Sequence, residues 1–157
     1  MRGGIMKDAV STAYALNLAA NLILAGCSGV PPANLGVKDG RLARCPDTPN
    51  CVSSQSADGR HAVAPLTYST SEAEALVSLK EIVLQMKGAR ITEETDGYIH
   101  AEFTSTICRF VDDVEFTVNE SLKTIDLRSA SRLGYSDFGV NRKRIEAIRT
   151  AWKARGS

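Results

Sequence analysis

The residues with the most chemical capacity lie between Asp112 and Arg144. Arg128, Arg132, Arg142 and Arg144, with Lys143, flank the loop Gly134-Tyr135-Ser136-Asp137. Guanidinium forks match carboxylate and phosphate geometry, and loop hydroxyls add adaptable donors. The pattern predicts a cleft for an anionic group, built from Arg128, Ser131, Arg132, Tyr135, Ser136, Asp137, Asn141 and Arg142. Reversing Arg132 and Arg142 to glutamate is then expected to abolish binding without unfolding the domain. The competing expectation is that the arginines pair with the chain's own acids and brace a sheet against a helix. Asp112 and Asp113 are the candidates for a general acid or base, with Ser131, Tyr135 and the arginines as an oxyanion clamp. His61 and His100 lie far apart in sequence and read as incidental, so neither a Ser-His-Asp set nor a metal cluster can be assembled. No metal and no cofactor is expected.

Cys45 and Cys51 enclose Pro46-Asp47-Thr48-Pro49-Asn50, a short loop whose prolines already limit its open states. A disulfide there is expected in an oxidising compartment, with free thiols as the alternative; a C-x5-C spacing without a nearby histidine suits zinc poorly. Cys108, between Ile107 and Arg109, reads as a small buried hydrophobe.

Positioning these groups requires a sheet and two helices. Ser71 and Glu74 form a capping box, and Leu76, Leu79, Val83 and Met86 follow at helical spacing, predicting a helix over Ser71–Lys87 that Gly88 ends. A short strand is expected around His61–Tyr68. Ile91–Glu94 and Tyr98–Ser105 flank Asp96-Gly97, a tight hairpin signal. In Phe110–Val118, alternation sets Phe110, Val114, Phe116 and Val118 on one face and Asp113, Glu115 and Thr117 on the other. Ile125 and Leu127 continue the strand pattern after a turn, in a register pairing Val118 with Ile125, Phe116 with Leu127 and Glu115 with Arg128. Ile145, Ile148 and Trp152 mark a final helix over Asn141–Ala154. The predicted architecture is α+β, a single domain with an antiparallel β-sheet and two helices packed on one face.

Two features break local rules. Asp112 falls in phase with the apolar face, where an unpaired carboxylate would cost several kcal/mol, so it needs a cation, the hydroxyls of Ser129 and Ser131, or a strand-end position. Arg142, Lys143 and Arg144 crowd the already positive N-terminal turn of the last helix, which calls for a compensating anion: Asp137, Asp112, Asp113 or a bound group.

Leu24-Ala25-Gly26-Cys27 gives the chain its address. Arg2 and Lys7 precede a largely apolar stretch interrupted by Asn17 and Asn21, and small residues lead to Cys27: the pattern of a bacterial lipoprotein signal, cleaved before a cysteine that takes a diacylglyceryl thioether. The expected organisation is a signal peptide over 1–26, a Gly- and Pro-rich tether over 27–44 and one domain over 45–155. The membrane, reached through acyl chains on Cys27, is the expected partner. Ser28 at the following position favours the outer membrane where there are two, with the domain facing the periplasm. An anionic small molecule, a lipid headgroup or an envelope protein is the further partner expected, and export disfavours nucleic acid. Charge is polarised: residues 128–155 carry eight basic and two acidic side chains, whereas residues 27–127 carry nine and fifteen, so an internal match competes with an external anion.

Three stretches, Cys-Pro-Asp-Thr-Pro-Asn-Cys-Val-Ser-Ser at 45–54, Phe-Val-Asp-Asp-Val-Glu-Phe at 110–116 and the run from Arg128 through Arg144, resemble the bacterial and plastid family known as domain of unknown function 1499. That resemblance spans Cys45 to Trp152 and implies one compact domain, often exported or lipid-anchored, with no established activity, substrate or cofactor. The expected role is a lipid-anchored envelope protein acting as a non-catalytic binding or accessory module; the alternatives are an enzyme using Asp112 or Asp113 and a structural module of an envelope assembly.

Overall fold

The computed structural model describes residues 28–156; Cys27 and the stretch before it, read as a lipoprotein signal, lie outside the described residues. In chain order the elements are β1 (Cys51–Ser53), β2 (Leu66–Thr67), α1 (Glu72–Leu84), β3 (Ala89–Thr95), β4 (Tyr98–Thr104), β5 (Val111–Asn119), β6 (Thr124–Ser131) and α2 (Val140–Ala154). The strands form one antiparallel sheet in the order β1-β6-β5-β4-β3, with β2 sharing the outer edge of β6 with β1. Both helices pack on one face, so the fold is the predicted single α+β domain.

Local rules explain most of the elements. Ser71 caps α1 reciprocally with Glu74, whose carboxyl the Ser71 hydroxyl and amide hold below its ordinary value. The helix ends at Leu84, earlier than the predicted Lys87, where the i→i−4 ladder gives way to the tighter i→i−3 bonds of the Met86 amide to Val83 and the Ala89 amide to Met86. Gly88 then takes φ +80°, and a Cβ there would lie 2.4 Å from the Thr104 carbonyl oxygen, so glycine alone lets β3 start beside the end of β4. The β5–β6 hairpin has the predicted register, with Val118 opposite Ile125, Phe116 opposite Leu127 and Glu115 opposite Arg128. Only Leu66–Thr67 of the stretch at His61–Tyr68 forms strand, because that part alone lies along β6.

Alternation gives the sheet two unlike faces. On the helix side, Ile99, Ala101, Phe103, Val114, Phe116, Ile125 and Leu127 pack against Leu79, Val83, Ile145, Ile148 and Trp152. Phe110 does not join them: it precedes β5, beyond Arg109 at φ +55°, and is half exposed. On the other face stand Tyr98, His100 and Glu102 of β4, Asp113 and Glu115 of β5, and Arg128 of β6. These are also buried or nearly so. Residues 28–44, read as a tether, run along this second face. The Gly36 amide donates to Glu115 Oε1 at 2.8 Å, Leu42 is buried, and its amide donates to Gln55. A disulfide joins Cys45 to Cys51 and so fastens the end of this strap to β1.

Candidate functional site

The predicted arginine cluster is divided by the sheet. Arg128 and Arg132 project from the face opposite the helices, whereas Arg142 and Arg144 belong to α2 on the helix side. The reason is the two-residue period of a strand: once Arg128 stands opposite Glu115, it and Arg132 point away from Leu127 and from everything packed on it.

On the far face, each charge meets its complement. Arg128 donates to Glu115 Oε2 at 3.1 Å, while Glu115 Oε1 accepts from the Tyr98 hydroxyl at 3.0 Å and from Gly36. Burial, reinforced by the adjoining Glu115 charge and hydrogen bond, pushes the Tyr98 phenol well up. Arg132 forms a fork on Asp113, 2.8 Å from Nε to Oδ2 and 2.7 Å from Nη2 to Oδ1, and also reaches Glu102 at 2.5 Å. Its Asp113 hydrogen bond raises the Arg132 guanidinium. Burial acts to raise the Asp113 carboxyl, but Arg132 and His100 outweigh it and hold that group below the ordinary carboxylate range. Glu102 behaves alike, with Arg90 and Arg132 overcoming burial. His100, read as incidental, lies 2.9 Å from Asp113 through Nε2 and 2.7 Å from the Thr92 hydroxyl through Nδ1. The face therefore holds Arg90–Glu102–Arg132–Asp113–His100 as one chain of contacts beside the Arg128–Glu115–Tyr98 group.

The helix side resolves the two rule-breaking features internally. Asp112, at the start of β5, pairs with Arg144 at 2.5 Å, and the Arg144 guanidinium lies over the Phe103 ring, 4.6 Å from its centroid. Arg144 also donates to Asn141 Oδ1 and to Ser129. At the N-terminus of α2, Asp137 is the compensating anion: its carboxylate accepts from the amides of Gly139 and Asn141 at 2.9 and 2.8 Å. Asn141, fully buried, donates through Nδ2 to the Asn50 carbonyl, Ser131 and Asp137, while Asn50 in turn donates to the Gly134 carbonyl. Arg142 donates to the carbonyls of Arg60 and Ala62. In the predicted loop Gly134, Tyr135 and Ser136 face solvent, while Asp137 is half-buried.

The proposed reversal of Arg132 needs correction. A glutamate there would oppose Asp113 and Glu102 inside the fold, so it would unfold the domain rather than report selectively on binding. His61 is also structural, buried with Nδ1 2.9 Å from the Cys51 carbonyl oxygen. Cys108, expected to be buried, is a free thiol on the exposed loop after β4. Among the described residues no group of three or more His, Cys, Asp or Glu could hold a metal ion, and no helix is long and apolar enough to cross a membrane.

Two features escape a reading of the sequence. Glu102 and His100 face Asp113 and Glu115 only through the β4–β5 register, which no local pattern specifies; a same-parity check along Tyr98-Ile99-His100-Ala101-Glu102 would have shown a second polar stripe. The outward cations Lys87, Arg90 and Arg109, by contrast, line a groove of about 900 Å³ that begins at Ser28 and Gly29, and they come from three separate stretches.

The three sequence motifs thus converge: the 45–54 loop through Asn50, β5 through Asp112, and the 128–144 segment through Asn141 and Arg144. No curated protein and no solved structure matches the chain. A family model described as a protein of unknown function, DUF1499, matches residues 41–152, and the chain belongs to that family.

Proposed function

We propose that the protein is a lipid-anchored component of the bacterial envelope that acts as a non-catalytic binding or accessory module. The observation that carries the non-catalytic part is the internal pairing of the candidate acids. Asp112 is engaged by Arg144, and Asp113 by Arg132 and His100. A carboxylate held low by a guanidinium fork, as Asp113 is, is a weak base. The cleft expected from Arg128, Arg132 and Arg142 loses its cations to internal partners: Arg128 and Arg132 pair with Glu115 and Asp113, and Arg142 donates to the carbonyls of Arg60 and Ala62. Capacity for an anionic group then lies with Lys87 and Arg109 around the groove at Ser28.

The anchoring part rests on Leu24-Ala25-Gly26-Cys27. Intact-mass measurement of the chain extracted from bacterial membranes tests it. The expected species begins at Cys27 and carries diacylglycerol on the sulfur; a chain retaining residues 1–26, or beginning at an unmodified Cys27, would refute it. Ligands that survive purification in the same measurement would name the chemical class of the partner.

A further inference from the structure

One end of the sheet has a surface unlike the rest. The loop between β4 and β5 and the loop between β6 and α2 leave the sheet side by side, since Asp112 pairs with Ser131 and the Arg132 amide donates to the Val111 carbonyl. Together with the first residue of α2 they expose Ile107, Phe110, Leu133, Tyr135, Phe138 and Val140, six of the eleven large apolar side chains exposed among the described residues. Ile107 and Phe138 are about as exposed as side chains can be, at 91 and 89 %. Phe138 also sits at φ +53°, a conformation that disfavours a bulky residue, and it is held there through hydrogen bonds of the 136–139 turn. A fold that spends strain to present a phenylalanine to solvent is presenting it to something.

The chain itself indicates what that is. Gly29 packs against Arg132 and Leu133: a Cβ at Gly29 would lie 3.0 Å from Arg132 Cβ and 3.2 Å from Leu133 Cγ. Val30 beside it is exposed as well. Position 27 is two residues from Gly29, hence within about 7 Å of chain from these loops. Arg109 on the first loop, Lys143 at the start of α2 and Lys87 beside the same end are exposed cations around the apolar tips. Apolar and aromatic tips ringed by lysine and arginine match the boundary between acyl chains and anionic headgroups.

We propose that this end of the sheet docks into the phospholipid surface that holds Cys27, with Ile107 and Phe138 as the inserted tips. The inference rests on the lipid-anchored reading and adds an orientation to it: the sheet stands on the membrane on its 107/138 end, with the 119–124 turn pointing away. Acyl chains alone would hold the domain at one point and leave it free to pivot there, whereas the second contact fixes which surfaces face outward.

The test uses the full chain with Phe138→Trp and, as a control at the opposite end, Leu122→Trp, each reconstituted in protein-free phosphatidylethanolamine/phosphatidylglycerol vesicles with brominated acyl chains. Native Trp152 is buried and contributes the same background to both. A side chain seated roughly 5–10 Å into the headgroup boundary should be quenched at least about threefold more strongly at 138 than at 122. Equal quenching, with 138 still open to aqueous iodide, would overturn the docking. Protection of 138 only in native membranes would overturn it too, assigning the patch to a protein partner. Intact mass of the same samples separates the two readings: an unacylated Cys27 refutes the anchor, and preferential quenching at 138 in that unacylated chain would leave the docking standing without it.

Discussion

The two faces of one sheet are buried by different means. The helix side uses bulk: Phe116, Leu127, Ile145, Ile148 and Trp152 exclude water without requiring particular atom pairs. The strap side uses correspondence: Glu115 is fully buried because Arg128, Tyr98 and Gly36 each supply a named contact. An apolar core tolerates exchange among residues of similar volume, whereas a buried ion loses much when one partner goes. The acids and arginines of that face, which look like a reactive centre in the sequence, therefore pair with one another, and Glu115 also holds the 28–44 strap through the Gly36 amide.

The sharpest way to break this contrast is Arg128→Ala. It leaves Glu115 buried without its cation and should cost about 3–5 kcal/mol in denaturant unfolding, whereas Arg128→Met with Glu115→Gln, which removes both charges and keeps an acceptor for Tyr98 and Gly36, should recover most of that loss. A double variant as unstable as the single would show that the pair is not acting as a pair. On the helix side no such rescue exists; Leu79→Ala alone should cost about 2–5 kcal/mol through the cavity it leaves.

Removing the disulfide with Cys45→Ser and Cys51→Ser should cost about 2 kcal/mol, since the bridge spans only six positions. The damage should also be local, with faster amide exchange at Gly36 and Leu42 than across β5. Uniform loss of protection would contradict a strap fastened at its end.

Acid should weaken the ionic face through two of its carboxylates. Asp113 and Glu102 have folded values below their unfolded ones, so their contribution is complete above the unfolded value of about 4 and is lost as pH falls through the folded values. The unfolding midpoint should be flat with respect to these two groups from neutral pH to about 5 and then decline below about 4. A midpoint that rises on acidification would contradict the assignment. The smallest effect belongs to the exposed end: Phe138→Ser should change stability by no more than about 0.5 kcal/mol, because it removes no packed contact.

Much of the fold could be read from the chain because its signals are local. The capping box at Ser71 and Glu74 and the alternation through Val114-Glu115-Phe116-Thr117-Val118 each fix their element within a few residues. Even the demand for an anion near Arg142 was readable, and Asp137 meets it five residues upstream. The arginine cluster misleads because closeness in sequence ignores parity: Arg128 and Arg144 frame one loop yet lie on opposite sides of the sheet. The Glu115–Arg128 register already implied that separation. The His100–Asp113 contact and β1 were out of reach, since one depends on the β4–β5 register and the other on a three-residue edge strand that only its neighbour β6 defines.

Whether the arginines are internal partners is decided by a double-mutant cycle at Arg132 and Asp113. Wild type, Arg132→Met, Asp113→Asn and the double variant would be compared by denaturant unfolding at neutral pH. The bidentate buried pair predicts a coupling of about 2 kcal/mol or more, with each single variant clearly destabilised. A coupling near zero, with Arg132→Met as stable as wild type, would show that Arg132 is available to an outside anion and would contradict the account.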